Sequence, residues 1–289
     1  MKILITGAQG QVGQEFVALN RSDLICLSRS ECDITDLPNL KSAIKRYQPN
    51  FIINTAAYTA VDKAETEIDL AYQINRDGVA NLAMLCKQHN IPLIHISTDY
   101  VFDGNKKSAY LETDLPNPQS VYGASKLSGE QALIQLHEQY IILRVSWVFG
   151  QFGKNFVKTI IRLAKEREEL KIVADQLGCP TSAHSIAEVA LTIVEHINQG
   201  KTSWGVYHYC NLKPTNWFEF AQKIVAEAKK YKSLAVQNMI PITTADYPTP
   251  AKRPANSVLN CQKFQAEFGI ISANWERELA KVVRTLGSN

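Results

Sequence analysis

The 289-residue chain has little that would mark it for an oxidising, fibrous or membrane setting. Its six cysteines (Cys26, Cys32, Cys86, Cys179, Cys210 and Cys261) form no C-x-x-C pair, and none has a histidine beside it at metal-ligand spacing. That scatter argues against a disulfide framework and for a reduced, cytoplasmic chain. No apolar run approaches the roughly 18 residues of a membrane-spanning helix. The opening stretch Met1–Thr6 is too short for the apolar core of a signal peptide. With 14 glycines and 11 prolines the chain is neither collagen-like nor of low complexity. An excess of one charge is also missing. Lys plus Arg is 31 and Asp plus Glu is 28, a net +3 too evenly spread for a nucleic-acid stripe or a membrane patch. What remains is an ordinary globular composition, 45% hydrophobic and 20% charged, sufficient for one large domain or two modest ones.

The first half alternates two periodicities. Lys2–Thr6, Asp23–Leu27, Phe51–Asn54, Pro92–Ser97 and Tyr140–Val145 read as strands. Gln11–Leu19, Thr66–His89 and about 120–137 read as helices. Strand–helix alternation with near-continuous apolar strands predicts an α/β fold, a doubly wound parallel sheet of Rossmann type buried on both faces. The second half is less regular. Asn155–Lys165, His184–Ile197, Trp217–Lys229 and Trp275–Leu286 read as helices and Val206–Cys210 as a strand. Pro241–Pro254 carries four prolines and reads as an irregular loop. The expected organisation is a dinucleotide-binding domain from residues 1–149 plus about 184–211. A smaller, mainly C-terminal substrate lobe would comprise about 150–183 plus 212–289.

Gly7-Ala-Gln-Gly10-Gln-Val-Gly13 follows the first strand directly. Glycines in such a turn permit close backbone approach to a pyrophosphate, and the next helix points its N–H groups at the phosphates. The spacing is G-x-x-G-x-x-G, and a glycine-rich turn without a ligand is the bland alternative. The second strand ends Leu27-Ser28-Arg29 with no carboxylate at its tip. Ser28 and Arg29 there favour a 2′-phosphate and hence NADPH over NADH, unless Arg29 is an ordinary solvated cation. Asp33-Ile34 is placed to meet an adenine, or to form a turn. Tyr122-Gly-Ala-Ser-Lys126 sets a phenol and an ammonium four residues apart, on one helical face. A neighbouring ammonium would lower the phenol's pKa and fit it for proton exchange with a carbonyl. Ser97-Thr98-Asp99 closes the preceding strand at the sheet edge where ligands bind, so Thr98 can reach the same oxygen. Trp147 follows the fifth strand at that edge. His95 reads as a satisfied core histidine, and Trp204, Trp217 and Trp275 as packing.

Gly7–Gly13 together with Tyr122-x-x-x-Lys126 resembles the extended short-chain dehydrogenase/reductases. Longer strings narrow this: Asn54-Thr-Ala-Ala-Tyr-Thr-Ala-Val-Asp-Lys-Ala-Glu65, Ser97-Thr-Asp-Tyr-Val-Phe-Asp-Gly104, Arg144-Val-Ser-Trp-Val-Phe149 and Asp175-Gln-Leu-Gly-Cys-Pro-Thr181. They are similar to the branch of that superfamily that completes dTDP-L-rhamnose synthesis for cell-surface polysaccharides. The resemblance runs nearly the whole chain and is least distinctive in the last third. It implies reduction of the C4 ketone of a sugar nucleotide by NADPH, with NADH as the alternative cofactor. It assigns Gly10, Gln11 and Val12 to the pyrophosphate, Asp33 and Ile34 to the adenine, and Ala57, Tyr58 and Thr59 to the path towards the nicotinamide. Tyr122, Lys126 and Thr98 become catalytic, and Thr98, Asp99, Trp147, Asn155 and Arg253 substrate-binding. It also admits a homodimer, and Mg2+ on Glu15, Glu188 and Glu276, each of which reads more easily as a solvated helix residue. Two alternatives stay open: a reductase or epimerase of another 4-keto-6-deoxy sugar nucleotide, and a non-catalytic regulatory subunit of the methionine adenosyltransferase type.

Overall fold

The computed structural model describes residues 1–287. Strands β1 (Ile3–Thr6), β2 (Leu24–Leu27), β3 (Phe51–Asn54), β4 (Leu93–Thr98) and β5 (Tyr140–Val145) join the strand Gly205–His208 in one six-stranded sheet. Its spatial order is β2-β1-β3-β4-β5 and then Gly205–His208, with every pairing parallel. The chain runs outward in both directions from β1 and β3. The crevice at their carboxyl ends is therefore the place where such a sheet takes a ligand.

Helices cover both faces because the strands are apolar on both. One layer joins Ile3, Ile5, Ile53, Ile94 and Leu143 to Phe16 of helix α1 (Gln11–Ala18) and to the helix Ala183–Asn198. The other joins Leu4, Ile52, Leu93 and Ile142 to Leu40 and Ile44 of α2 (Leu37–Tyr47) and to a long helical run. That run comprises α4 (Ile68–Tyr72), a π-helical turn at Gln73–Asp77, and α5 (Gly78–His89), whose Val79 and Leu82 make the contact; a separate turn of helix, α3 (Val61–Ala64), precedes it. Helix α6 (Val121–Leu136) is started by Ser120, whose side chain accepts from the Gly123 N–H.

A second core belongs to the lobe. The helices Phe156–Glu166, Trp217–Ala228 and Trp275–Gly287 bury Ile160, Phe220, Ile224 and Leu279 against the strand Glu169–Val173. That strand pairs in parallel with Asn238–Ile242. Pro241 thus lies inside a strand, where an irregular loop was expected. The pair is a two-stranded sheet, and an edge position tolerates a residue that cannot donate. The helices Leu37–Tyr47 and Gln262–Phe268 add to the expected elements; the first is capped by Asp36 and buries Leu40, Ala43 and Ile44. The six cysteines are free, with the Cys210 and Cys261 sulfurs 3.4 Å apart.

Candidate active site

The glycine loop is shaped by contact. Gly7 has φ +73°, and a Cβ on it would stand 2.6 Å from the Ala56 nitrogen. A Cβ on Gly13 would stand 2.2 Å from the Gly7 carbonyl oxygen. Glycine is thus required for α1 to begin directly over the carboxyl ends of β1 and β3. Gly10 precedes the first turn of α1 without a side-chain cap, so that turn's N–H groups are left for a ligand. This cradle fits a dinucleotide pyrophosphate. Residues 55–58, at the end of β3, line its other side half-exposed. Tyr58 is fixed there by Asn75, which accepts from the Tyr58 N–H at 2.9 Å and donates to its carbonyl at 3.1 Å. The π-helical turn presents Asn75, which also donates to Ser125 Oγ at 3.0 Å; the sequence reading missed it.

The expected reading of the β2 tip needs correction. A carboxylate does lie there: Glu31 folds back and accepts from both the Ser28 N–H (2.9 Å) and Ser28 Oγ (2.6 Å). Those bonds hold its pKa below the ordinary value. Arg29 is 65% exposed and paired with Asp33 at 3.0 Å. Asp33 also accepts from the Thr35 N–H and hydroxyl, which makes it a turn residue. Ile34 is 3% exposed in the core, so its side chain does not face an adenine.

Tyr122, Ser125 and Lys126 open α6 beside Ser97, Thr98 and Asp99 at the end of β4. Thr98 Oγ1 donates to Asp99 Oδ1 at 3.0 Å and accepts from the Tyr100 N–H at 3.2 Å, with the Tyr122 phenol beside it. Tyr100 packs edge-on against Tyr122, ring centres 5.5 Å apart. Arg253 Nη1 donates to Tyr100 Oη at 3.0 Å and Nη2 to Asp62 Oδ2 at 2.7 Å, which brings the proline-rich segment to the site. Burial pushes the Tyr122 phenol above its ordinary pKa, with Thr98 opposing. This reverses the expectation that Lys126 lowers it. Lys126 Nζ instead donates to the Ile96 carbonyl at 2.7 Å and lies 3.2 Å from His95 Nε2. Burial brings Lys126 itself down to about 8. Below the pair, Glu130 is bound by Arg144 through Nε (3.0 Å) and Nη2 (2.6 Å) and by the Ser97 hydroxyl, tying β4, β5 and α6 together.

Five other candidates are occupied elsewhere. Asn155 caps the helix Phe156–Glu166, and its amide donates to Gln11 Oε1 at 2.7 Å and to the Gly150 carbonyl at 2.8 Å. It links the lobe to the glycine loop and has no free donor for a sugar. Trp147, with φ +46°, stacks on Trp217 at 3.5 Å, and a Cβ on Gly178 would stand 2.3 Å from its ring. Its indole therefore packs in the lobe. Glu15 and Glu188 both approach His184 (3.6 and 3.3 Å), whereas Glu276 pairs with Lys223 at 3.5 Å. The three glutamates do not converge, and among the described residues no group of three or more His, Cys, Asp or Glu could hold a metal ion.

A parallel α/β sheet, a glycine-cradled pyrophosphate site and a buried tyrosine–lysine helix turn define a dinucleotide-dependent reductase of the extended short-chain type. Residues 1–288 match the family model described as the RmlD substrate binding domain, and the chain belongs to that family. It is 47% identical to the dTDP-4-dehydrorhamnose reductase of Aggregatibacter actinomycetemcomitans, over 97% of this chain and 98% of that one. The solved dTDP-4-dehydrorhamnose reductase of Clostridium acetobutylicum superposes with a TM-score of 0.92 at 39% identity, over 99% of each chain. That of Bacillus anthracis, in complex with NADP, gives 0.90 at 37% identity, over 99% of this chain and 100% of that one.

Proposed function

We propose that this protein is an NADPH-dependent dTDP-4-dehydrorhamnose reductase, converting the C4 ketone of dTDP-4-dehydro-L-rhamnose to the alcohol of dTDP-L-rhamnose. The observation that carries the chemistry is the buried Tyr122 phenol, one helical turn from Lys126 and beside Thr98 at the carboxyl end of β4. The choice of sugar nucleotide draws on the relatives' names.

The dihydronicotinamide, when bound, supplies hydride to C4. Tyr122 supplies the proton to the ketone oxygen, and its raised pKa keeps it protonated at neutral pH, the form a donor must have. Thr98 steadies the phenol and the same oxygen. Lys126 holds the nicotinamide ribose and, as an ammonium, offsets the charge left on the tyrosine after proton transfer. Gly7, Gly10, Gln11, Val12 and Gly13 hold the pyrophosphate, and Ala57, Tyr58 and Thr59 line the way to the nicotinamide. Arg29 meets the 2′-phosphate on release from Asp33, while Glu31 close by repels it, so the preference for NADPH over NADH is modest. Asp99, next to Thr98, and Arg253, held on Tyr100, face the sugar-nucleotide side. Residues 1–149 with 184–211 serve as the dinucleotide domain and the remainder as the lobe that takes the sugar nucleotide.

The test is NADPH oxidation with dTDP-4-dehydro-L-rhamnose against a panel of other 4-keto sugar nucleotides. Turnover with the rhamnose precursor, cut by about 10²-fold in Tyr122→Phe while NADPH still binds, is the expected result. No net oxidation with any ketone would leave an epimerase or a binding subunit.

A further inference from the structure

Beneath Lys126 runs a chain of polar groups wholly inside the sheet. His95 and Asn54 are each 0% exposed. His95 Nδ1 lies 2.9 Å from Asn54 Nδ2, and His95 Nε2 lies 3.2 Å from Lys126 Nζ. The direction of this chain is set at its far end. The Ala56 backbone N–H can only donate, and it reaches Asn54 Oδ1 at 3.1 Å. Thr6 Oγ1 donates to the same oxygen at 2.6 Å. The amide oxygen of Asn54 therefore faces Thr6 and Ala56, and its NH₂ faces His95. An amide NH₂ cannot accept, so His95 Nδ1 is the acceptor and the neutral ring carries its hydrogen on Nε2. Burial first, and then the charge of Lys126, hold His95 well below its ordinary pKa, so the ring stays neutral.

An N–H group consequently points at Lys126 Nζ. An ammonium is a donor only, and two donors facing each other in a dry site leave both unsatisfied. An amine has a lone pair for the His95 N–H and a hydrogen for the Ile96 carbonyl at 2.7 Å. Of the charged and titratable groups around Nζ, Tyr122 on α6 is neutral. Glu130, one turn further on, favours the ammonium, but Arg144 of β5 and Ser97 of β4 already occupy its carboxylate.

We propose that His95 is a positioning residue that biases Lys126 towards the neutral amine in the cofactor-free protein, so that Lys126 takes up a proton when the nicotinamide cofactor binds. This rests on the reading of Lys126 as a ribose contact. The cofactor brings hydroxyl oxygens and negative charge to Nζ, and both favour the ammonium. The share of ammonium that assists Tyr122 then rises when the hydride donor is in place, and the phenol keeps its proton until that moment.

Two measurements test it. In the cofactor-free protein, long-range ¹H–¹⁵N NMR of the histidine rings should show His95 as the Nε2–H tautomer, unchanged across neutral pH. An Nδ1–H tautomer or an imidazolium overturns the proposal. In the second, calorimetric titration with NADPH at about pH 9, above the value Lys126 has in the free protein, in buffers of different ionisation enthalpy, counts protons. Both the 2′-phosphate and the carboxylates are fully ionised there. Uptake should approach roughly one proton per site in the parent. It should fall by half or more in His95→Gln, whose carbonyl can turn to Nζ and let the ammonium form beforehand. Equal uptake in the two proteins overturns the proposal. Failure of the parent to bind NADPH at all would defeat the functional reading instead, and the ring tautomer would still decide the role of His95.

Discussion

Asp99→Asn should make the stability of this protein less dependent on pH while reducing its activity. Asp99 is 2% exposed; Oδ1 accepts from Thr98, and Oδ2 has no hydrogen-bond partner. Burial pushes its carboxyl up from 3.8 to about 6, with the Ser257 and Thr98 hydroxyls only partly offsetting the loss of water. Between those two values the unfolded chain releases its proton and the folded chain keeps it. The stabilisation from protonated Asp99 is thus complete below about 3.8 and lost as pH rises through about 6. A shift of roughly two units at 1.36 kcal/mol each makes the loss about 3 kcal/mol, constant above that range. An asparagine has no proton to release there, so this slope vanishes. Its own amide still meets an orphan position, which costs about 1–3 kcal/mol at every pH. The informative quantity is therefore the change in the difference between the two proteins. Urea denaturation at several pH values from about 4 to about 7.5 should show the variant gaining about 3 kcal/mol relative to the parent, most of it by about pH 6.5. Parallel stability curves over this range would refute the reasoning. A matching loss of kcat/KM for the sugar nucleotide would show that the charge is kept at this cost because the site uses it.

Arg29→Ala should raise the Kd for NADPH by roughly tenfold and leave that for NADH nearly unchanged, whereas Glu31→Gln should tighten NADPH alone; fluorescence titration of both cofactors separates the two, and equal effects on both cofactors would remove the 2′-phosphate contact. Trp147→Ala removes a ring stacked on Trp217 and should destabilise the lobe by about 2–4 kcal/mol with the KM for the sugar nucleotide nearly unchanged; a raised KM at unchanged Tm would return Trp147 to the substrate site. Gly13→Ala drives a Cβ against the Gly7 carbonyl and should abolish measurable NADPH binding before it abolishes folding, which titration and circular dichroism together can check.

The sequence by itself determined the features that depend on neighbours along the chain. β3 and β5 lie where their apolar runs place them, and Ser120 and Asn155 cap the helices they precede. The glycine turn and the tyrosine–lysine spacing are likewise local, since one turn of backbone sets each. Only the tertiary structure decided which groups meet across the sheet. Glu31 lies three residues from Ser28, but it is the fold of the β2 tip that turns it back onto that strand end. The resemblance implies a pocket role for Asn155, whereas Gln11, 144 residues away, takes its amide. Ile34 and Trp147 have the composition of ligand contacts and the surroundings of core. Most of all, the states of Tyr122, Lys126 and His95 follow from desolvation and from hydrogen-bond direction. Those depend on Thr6, Asn54 and Ile96, which strands β1, β3 and β4 bring side by side from separate parts of the chain. Periodicity and motif spacing report what a residue can do; its protonation is set by how many donors and how little water the packed sheet leaves around it.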